Sequence, residues 1–184
     1  MRQIQKMSAV YLQRSLDFVE QVFTEYYNEK EGKMVRALVE EIRSKKYYLP
    51  ELELIMVEGD TEEIIGYAMF SRFQLAGCQE DGMLILTPVA VKTALQRRHI
   101  SKELLEYGFE RSVELGYKAV LVEGNPRNYH ARGFETASDH GILAGHSVHL
   151  PSPECLMVKE LVPGALEDIQ GYVEYEMYDT LMEE

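Results

Sequence analysis

The run of residues from 83 to 122 constrains the fold more than any other part of this sequence. Met83–Val91 is apolar on both alternating faces, as expected of a strand in the middle of a sheet. A helix is predicted over Ser101–Gly116, and its apolar face is formed by Leu104, Leu105, Phe109 and Val113. Lys118–Val122 reads as a second buried strand. Strand, helix and strand of these lengths predict a parallel crossover within a mixed-sheet α/β (α+β) fold.

Pro88 interrupts the first of these strands. Proline cannot donate a ladder hydrogen bond, so the strand is expected to bulge or splay there. The backbone groups of the next residues, Val89, Ala90 and Val91, would then be available to a ligand. An extended ligand that carries amides could pair with them in the manner of an added strand.

The remaining periodicity predicts one domain over residues 1–184 with three parts. A pair of amphipathic helices occupies 1–48, the sheet core and crossover helix occupy 52–122, and a C-terminal half follows over 123–184. Two strands between residues 52 and 73 are expected to form a hairpin. The C-terminal half should hold a short helix from Pro126 to about Arg132, two or three weaker strands over Phe134–Leu161, and a last short helix or strand near Tyr172–Leu181.

Charge and composition exclude several classes of protein. The chain has 19 basic and 31 acidic side chains and a net charge of −12, which argues against binding nucleic acid or an anionic membrane. The same charge suits a cationic amine, although it also serves solubility. No apolar run approaches the roughly 20 residues that span a bilayer, and no signal peptide is evident at the start of the sequence. We therefore expect a cytoplasmic protein whose two cysteines, Cys78 and Cys155, are reduced.

No metal site is expected from the sequence. The histidines of the C-terminal half, His140, His146 and His149, follow no metal-ligand spacing, and neither cysteine joins them. Scattered loop histidines are the simpler interpretation.

The loop before the crossover helix favours an anion. It reads Gln96-Arg97-Arg98-His99-Ile100-Ser101, with Ser101 placed to cap the helix and Gly116 to end it in a left-handed turn. The first amides of a helix lack internal partners and lie at the positive end of its dipole. Arg97 and Arg98 are placed to add positive charge for a pyrophosphate. From these residues alone, a solvated arginine pair in a common strand–loop–helix unit stays an open alternative.

A second stretch resembles a known family. The segment reads Gly124-Asn125-Pro126-Arg127-Asn128-Tyr129-His130-Ala131-Arg132-Gly133-Phe134. It resembles the GNAT superfamily of N-acetyltransferases, and within it a bacterial subgroup. That subgroup has a Pro-Leu-Ala-Val-type strand, a Gln-x-x-Gly-x-Gly loop and a Gly-Asp/Asn-Pro-x-Tyr-Tyr segment ending in Gly-Phe. The match covers the second half of the chain, through Leu161–Leu166, and the first half by element order.

The resemblance implies a GNAT-like acyl-CoA N-acyltransferase fold, with a central splayed strand flanked by helices. It implies acetyl-CoA as acyl donor, no metal, direct attack by an amine of a small molecule or protein, and the homodimers that occur in this superfamily. By resemblance, Tyr129 is the general acid that protonates the departing thiolate. The residues implied in cofactor binding are Val89, Ala90, Val91, Gln96, Arg97, Arg98, His99, Ile100, Ser101 and Asn125.

Two departures from the family pattern keep alternatives open. His99 and Ser101 stand where the family loop has glycines, and Asn128 replaces the first of the paired tyrosines. A catalytically impaired module that binds an acyl-CoA for regulation is therefore a second hypothesis. Tyr129 could instead pack its ring in the core, and Asn125 could be a turn residue. The general base is undecided between Glu123 and His130, and a solvated surface role is the simpler interpretation of each.

Overall fold

The computed structural model describes residues 1–175, which fall into two compact units. The described part of the first unit comprises Met1–Ser71 and Thr87–Arg111. The second comprises Arg72–Leu86 and residues 112–175. Both the strand predicted at 83–91 and the crossover helix therefore contribute residues to each unit.

The first unit contains an antiparallel ladder and a helical pair. Its elements are β1 (Arg2–Lys6), α1 (Leu12–Tyr26), α2 (Glu29–Arg43), β2 (Glu53–Glu58), β3 (Glu63–Arg72), the end of β4 (Met83–Val91) and most of α3 (Ile100–Glu114). β2 pairs with β1 on one side and with β3 on the other, both antiparallel, so the predicted hairpin and helical pair are confirmed. Of the helices within residues 1–175, none has the length and apolarity that crossing a bilayer requires.

The second unit is built on the start of β4. Its further elements are β5 (Ala119–Glu123), α4 (Pro126–His130), β6 (Glu135–Thr136), β7 (Ile142–Ala144), β8 (Leu156–Glu160) and β9 (Gly171–Val173). β5 runs parallel to β4, which confirms the crossover, and β8 is antiparallel to both β5 and β6. The strand order β1-β2-β3-β4-β5-β8-β6 defines a mixed seven-stranded sheet, while β7 and β9 form a separate parallel pair. The predicted element near Tyr172 begins as β9, and its extension beyond residue 175 lies outside the described residues.

Two details differ from the sequence-based expectation. A strand, β1, precedes the helical pair. The crossover helix begins at Ile100, and the Glu103 N–H donates to the His99 carbonyl over 3.0 Å. His99 therefore occupies the cap position, and Ser101 is wrong as the cap because it already lies in the first turn. The predicted left-handed end at Gly116 is confirmed, with φ of 93°.

Helix α3 packs closely on β3 because two facing positions lack side chains. A Cβ at Gly66 would lie 2.7 Å from Ile100 Cγ2 and 2.8 Å from Leu104 Cδ1. A Cβ at Gly108 would lie 2.3 Å from the ring of Phe70. Contacts that short do not occur between real atoms, so glycine at both positions sets the distance at which α3 lies on the strand.

A buried ion pair ties α2 to β2. The Glu53 carboxylate is fully buried, and Arg43 donates to it from Nε over 2.8 Å and from Nη2 over 2.5 Å. The Tyr67 hydroxyl donates to the same carboxylate over 2.7 Å, and Tyr48 donates to its other oxygen. Burying a carboxylate is costly unless it is paired and hydrogen-bonded, and here both oxygens have donors.

Candidate active site

The ladder between β4 and β5 ends before Pro88. The β4–β5 ladder runs from Met83 opposite Ala119 to Ile85 opposite Leu121, whereas β4 continues to Val91. The predicted splay is thus confirmed. Within the first unit, Ala90 is buried, whereas Val89 and Val91 are half-buried. Because burial alternates along these three residues, one face of this part of β4 is buried in the core and the other face is partly exposed.

The loop from β4 to α3 adopts backbone conformations that normally belong to glycine. Arg97 and His99 both have φ of 64° in the left-handed region. A side chain there clashes with the backbone, so only glycine adopts it without cost. The position that holds glycine in the resembling family therefore keeps a glycine-like backbone in this chain although it carries histidine. Ser101, the other substituted position, has no such requirement because it lies within α3.

Backbone and side-chain groups of β3 and a side chain of α1 hold the first residues of this loop. The Lys92 N–H donates to the Ile65 carbonyl over 3.0 Å, and its ammonium pairs with Glu63. The Thr93 hydroxyl donates to Glu25 over 2.6 Å, and this hydrogen bond lowers the pKa of Glu25. The loop therefore leaves the sheet from a fixed point beside the end of α1.

The remaining predicted cofactor residues of the first unit are contiguous. Gln96, Arg97, Arg98 and His99 are exposed, whereas Ile100 is buried against Gly66. The buried isoleucine fixes the start of α3, and the four exposed residues precede it directly. An anion at this place would meet two guanidinium groups and the positive end of a 15-residue helix.

In the second unit, Asn125 caps the short helix α4. Its Oδ1 accepts the Arg127 N–H over 3.0 Å, and its backbone carbonyl accepts the Tyr129 N–H over 3.2 Å. The turn role considered from sequence is therefore present. Because the cap uses Oδ1, the Nδ2 amide of the same exposed side chain is the group suited to donate to a ligand carbonyl.

Tyr129 has its ring fixed by two neighbours. A Cβ at Gly124 would lie 2.6 Å from Tyr129 Cε2, so the ring rests directly on the glycine backbone. Phe134 packs edge-on with ring centroids 5.5 Å apart. The Phe134 N–H also donates to the Tyr129 carbonyl over 3.1 Å. The glycine, the tyrosine and the phenylalanine of the motif thus form one packed cluster in this chain, and Tyr129 is half-buried in it.

One partner in this region was missed from the sequence. The Tyr175 hydroxyl donates to the Glu123 carboxylate over 2.7 Å, directly before Gly124 in the chain. Tyr175 is buried and stands 52 positions after its partner, so no local pattern could have indicated the contact. His130, the other residue considered as a proton acceptor, lies exposed in the last turn of α4.

Two histidines of the C-terminal half each contact a different glutamate. His140 bonds Glu135 over 2.8 Å, and His146 lies 3.0 Å from Glu174. Within residues 1–175, no three His, Cys, Asp or Glu side chains are grouped so that they could hold a metal ion.

Comparison with known sequences identifies a family model. The model described as the acetyltransferase (GNAT) family matches residues 16–135. The uncharacterized N-acetyltransferase YhbS of Escherichia coli (strain K12) is 32% identical over 127 residues, which cover 67% of this chain and 72% of that protein.

Solved structures show the same fold. The crystal structure of the GNAT family N-acetyltransferase YhbS from Escherichia coli in complex with CoA matches with a TM-score of 0.79 and 24% identity, over 97% of this chain and 92% of that one. A GNAT family acetyltransferase from Brucella melitensis in complex with acetyl-CoA matches with a TM-score of 0.64 and 23% identity, over 93% of each chain.

Proposed function

Because the chain belongs to the acetyltransferase (GNAT) family, we propose that it transfers an acetyl group from acetyl-CoA to an amine of a small molecule or protein. The observation that carries the proposal is the loop before α3. It keeps a left-handed backbone at His99 even without glycine, and its two exposed arginines directly precede His99 and the start of α3. The cofactors in the Escherichia coli and Brucella melitensis relatives support the choice of donor.

Acetyl-CoA supplies an acetyl group activated as a thioester. Val89–Val91 pairs through its backbone with the pantetheine arm, in the manner of an added strand. The amides of His99, Ile100 and Ser101 and the side chains of Gln96, Arg97 and Arg98 bind the pyrophosphate. Asn125 donates from Nδ2 to the arm while its Oδ1 remains in the helix cap.

The chemical roles follow from the hydrogen-bonding capacity of the residues. A backbone N–H of Val89–Val91 donates to the thioester oxygen as negative charge develops on it. Tyr129 gives its phenolic proton to the departing sulfur. Glu123 and His130 are the two candidates for taking up the amine proton through water, and the Tyr175 hydroxyl already orients the carboxylate of Glu123.

The direct test combines binding and turnover. Calorimetry measures CoA binding to the full chain, and release of free thiol from acetyl-CoA is followed with a panel of primary amines. We expect binding and amine-dependent thiol release. A chain that binds no CoA contradicts the proposal.

A second candidate function follows from the substitutions at His99 and Ser101. Without the loop glycines, the chain could bind an acyl-CoA for regulation without transferring the acyl group. Binding of CoA without thiol release across the amine panel would favour this function over catalysis.

Three further proposals accompany the function. The protein acts in the cytoplasm, where acetyl-CoA is available; its two cysteines, which form no disulfide, are consistent with this. Residues 1–184 form one acetyltransferase domain. Two copies associate as a homodimer, which light scattering on the purified protein tests.

A further inference from the structure

The loop before α3 needs an external restraint. Arg97 and His99 flank Arg98, and both have φ of 64°. Side chains in the left-handed region are unfavourable, and such residues persist only where the surroundings hold them. Arg97 and His99 both have this unfavourable backbone within three positions. A contact to Arg98, which lies between them, can restrain both.

Arg2 supplies that restraint from β1. Its Nη1 donates to the Arg98 carbonyl over 3.1 Å. Its Nη2 contacts Glu103 Oε1 over 3.2 Å. The backbone of Arg2 is itself fixed, because it pairs with Glu58 in the β1–β2 ladder. One guanidinium group therefore joins the sheet, the middle of the loop and the first turn of α3.

The contact to Arg98 also orients the next amide. In a trans peptide unit the carbonyl and the following N–H point in opposite directions. With the Arg98 carbonyl directed to Arg2, the His99 N–H is directed away from Arg2. That amide is one of those that the proposed function assigns to the pyrophosphate.

The contact to Glu103 has an electrostatic consequence. Glu103 is the acidic residue in the first turn of α3. A carboxylate there stabilises the helix, but it repels a phosphate at the same end. Pairing with Arg2 neutralises this charge while Arg97 and Arg98 stay exposed.

A second arginine of the first unit donates to the carbonyl of a residue in an unfavourable backbone conformation. Glu62, in the turn between β2 and β3, has φ of 54°, and Arg14 donates to its carbonyl over 2.6 Å. Both arginines thus hold a carbonyl at or beside a left-handed residue that is not glycine. Arg14 acts at a turn to which the proposed function assigns no role, so it provides a matched control.

We infer that Arg2 is a positioning residue of the cofactor site: it holds the loop in its glycine-like conformation and neutralises Glu103, which together prepare the start of α3 for the pyrophosphate. This inference rests on the proposed function. It explains how a loop without the family glycines retains an anion site, since an arginine from a distant strand supplies the restraint.

The test measures the dissociation constant of CoA by calorimetry for the full chain and three variants. Arg2→Met should raise it about tenfold, because a charged hydrogen bond and a neutralising charge are both lost. Arg14→Met removes the same charge and the same type of bond elsewhere, and should leave it within about twofold. Glu103→Gln should lower it about threefold, more at low salt than at high salt.

The direction in which Glu103→Gln changes the dissociation constant of CoA distinguishes a positioning role of Arg2 from a purely structural one. If Arg2 only braced the fold, losing its partner Glu103 would weaken CoA binding as well, and that result overturns the inference. Equal weakening by Arg2→Met and Arg14→Met, or no weakening by Arg2→Met, also overturns it. Should Arg2→Met not fold, Glu103→Gln still decides by its sign. Failure of the unmodified chain to bind CoA contradicts the proposed function instead.

Discussion

At the scale of single residues, the position of the Tyr129 ring depends on glycine at position 124, because a Cβ there would occupy the space of the ring. The ring rests on Gly124, where a Cβ would come within 2.6 Å, and Phe134 packs against the ring edge. The sequence motif identified all three residues, but it could not separate a packed tyrosine from a general acid. The structure places the ring in a packed cluster.

Removing that hydroxyl tests the acid role. In Tyr129→Phe the ring keeps its contacts, so we expect thermal stability and CoA affinity to be unchanged. The turnover number for thiol release should fall about 100-fold, because proton donation typically contributes at least that factor. Tyr172→Phe, which changes an exposed tyrosine of the same unit, is the control. Unchanged turnover in Tyr129→Phe would remove the acid role.

The two substituted loop positions should respond differently to glycine. His99→Gly relieves a left-handed side chain, so it should stabilise the protein by about 0.5 kcal/mol after allowing for the entropy of glycine. It should also tighten CoA binding. Ser101→Gly lies in α3 and should cost stability, because glycine is a poor helix residue. Thermal unfolding and calorimetry measure both, and tighter binding by Ser101→Gly but not His99→Gly would contradict this account.

At the scale of elements, helices and strands with a regular apolar pattern could be predicted from the sequence. A polar strand at the edge of the sheet could not. The helical pair, the hairpin, β4, α3 and β5 follow from apolar patterns that each segment carries by itself. The strand β1 was missed because its sequence, Arg-Gln-Ile-Gln-Lys, has one apolar residue, which is common for strands at sheet edges. Its Arg2 contacts a residue 96 positions away, so no local signal could reveal it.

The buried network between α2 and β2 was not predicted either, because its members lie in different segments, 5, 10 and 14 positions from Glu53, and match no local pattern. It gives the first unit a pH-dependent stability. Burial raises the pKa of Tyr67 well above its usual value, and burial beside Glu53 does the same for the pKa of Tyr48. Both phenols therefore stay protonated in the native state at a pH where they ionise in the unfolded chain.

The sign of the effect follows from linkage. Because these native pKa values are raised, the stabilisation is complete below about pH 10 and is lost as the pH rises further. The free energy of unfolding should then fall by up to about 1.4 kcal/mol per pH unit for Tyr67 alone. Urea denaturation between about pH 8 and 11.5 measures it. Tyr67→Phe should flatten the slope while lowering stability at neutral pH, whereas Tyr26→Phe, at an exposed site, should leave the slope unchanged.

At the scale of the whole molecule, the net charge leads us to expect faster capture of cationic acceptors than of neutral ones. With a net charge of −12, the long-range field of the protein should attract cations such as polyamines over distances that salt controls. The fold class could be predicted from one crossover unit and one motif. The acceptor could not, because its binding residues are not marked by any recurrent pattern.

This field makes a prediction that needs no knowledge of the natural substrate. For two acceptors that differ by one positive charge, kcat/KM should be higher for the more cationic amine at low ionic strength. The advantage should shrink several-fold between about 20 and 300 mM salt, since screening removes long-range steering. Thiol-release rates measure it with matched monoamine and diamine pairs. An advantage that does not depend on salt would assign the preference to local contacts instead.

The two units also differ in when the ribosome completes them. All described residues of the first unit precede Ser112, whereas the second needs β9 near residue 175 to pair with β7. Chains emerge N-terminus first at about 5–20 residues per second. The contacts of the loop before α3, including its arginine restraint, lie within residues 2–103, so the residues that make them leave the ribosome before the segment bearing Tyr129 does.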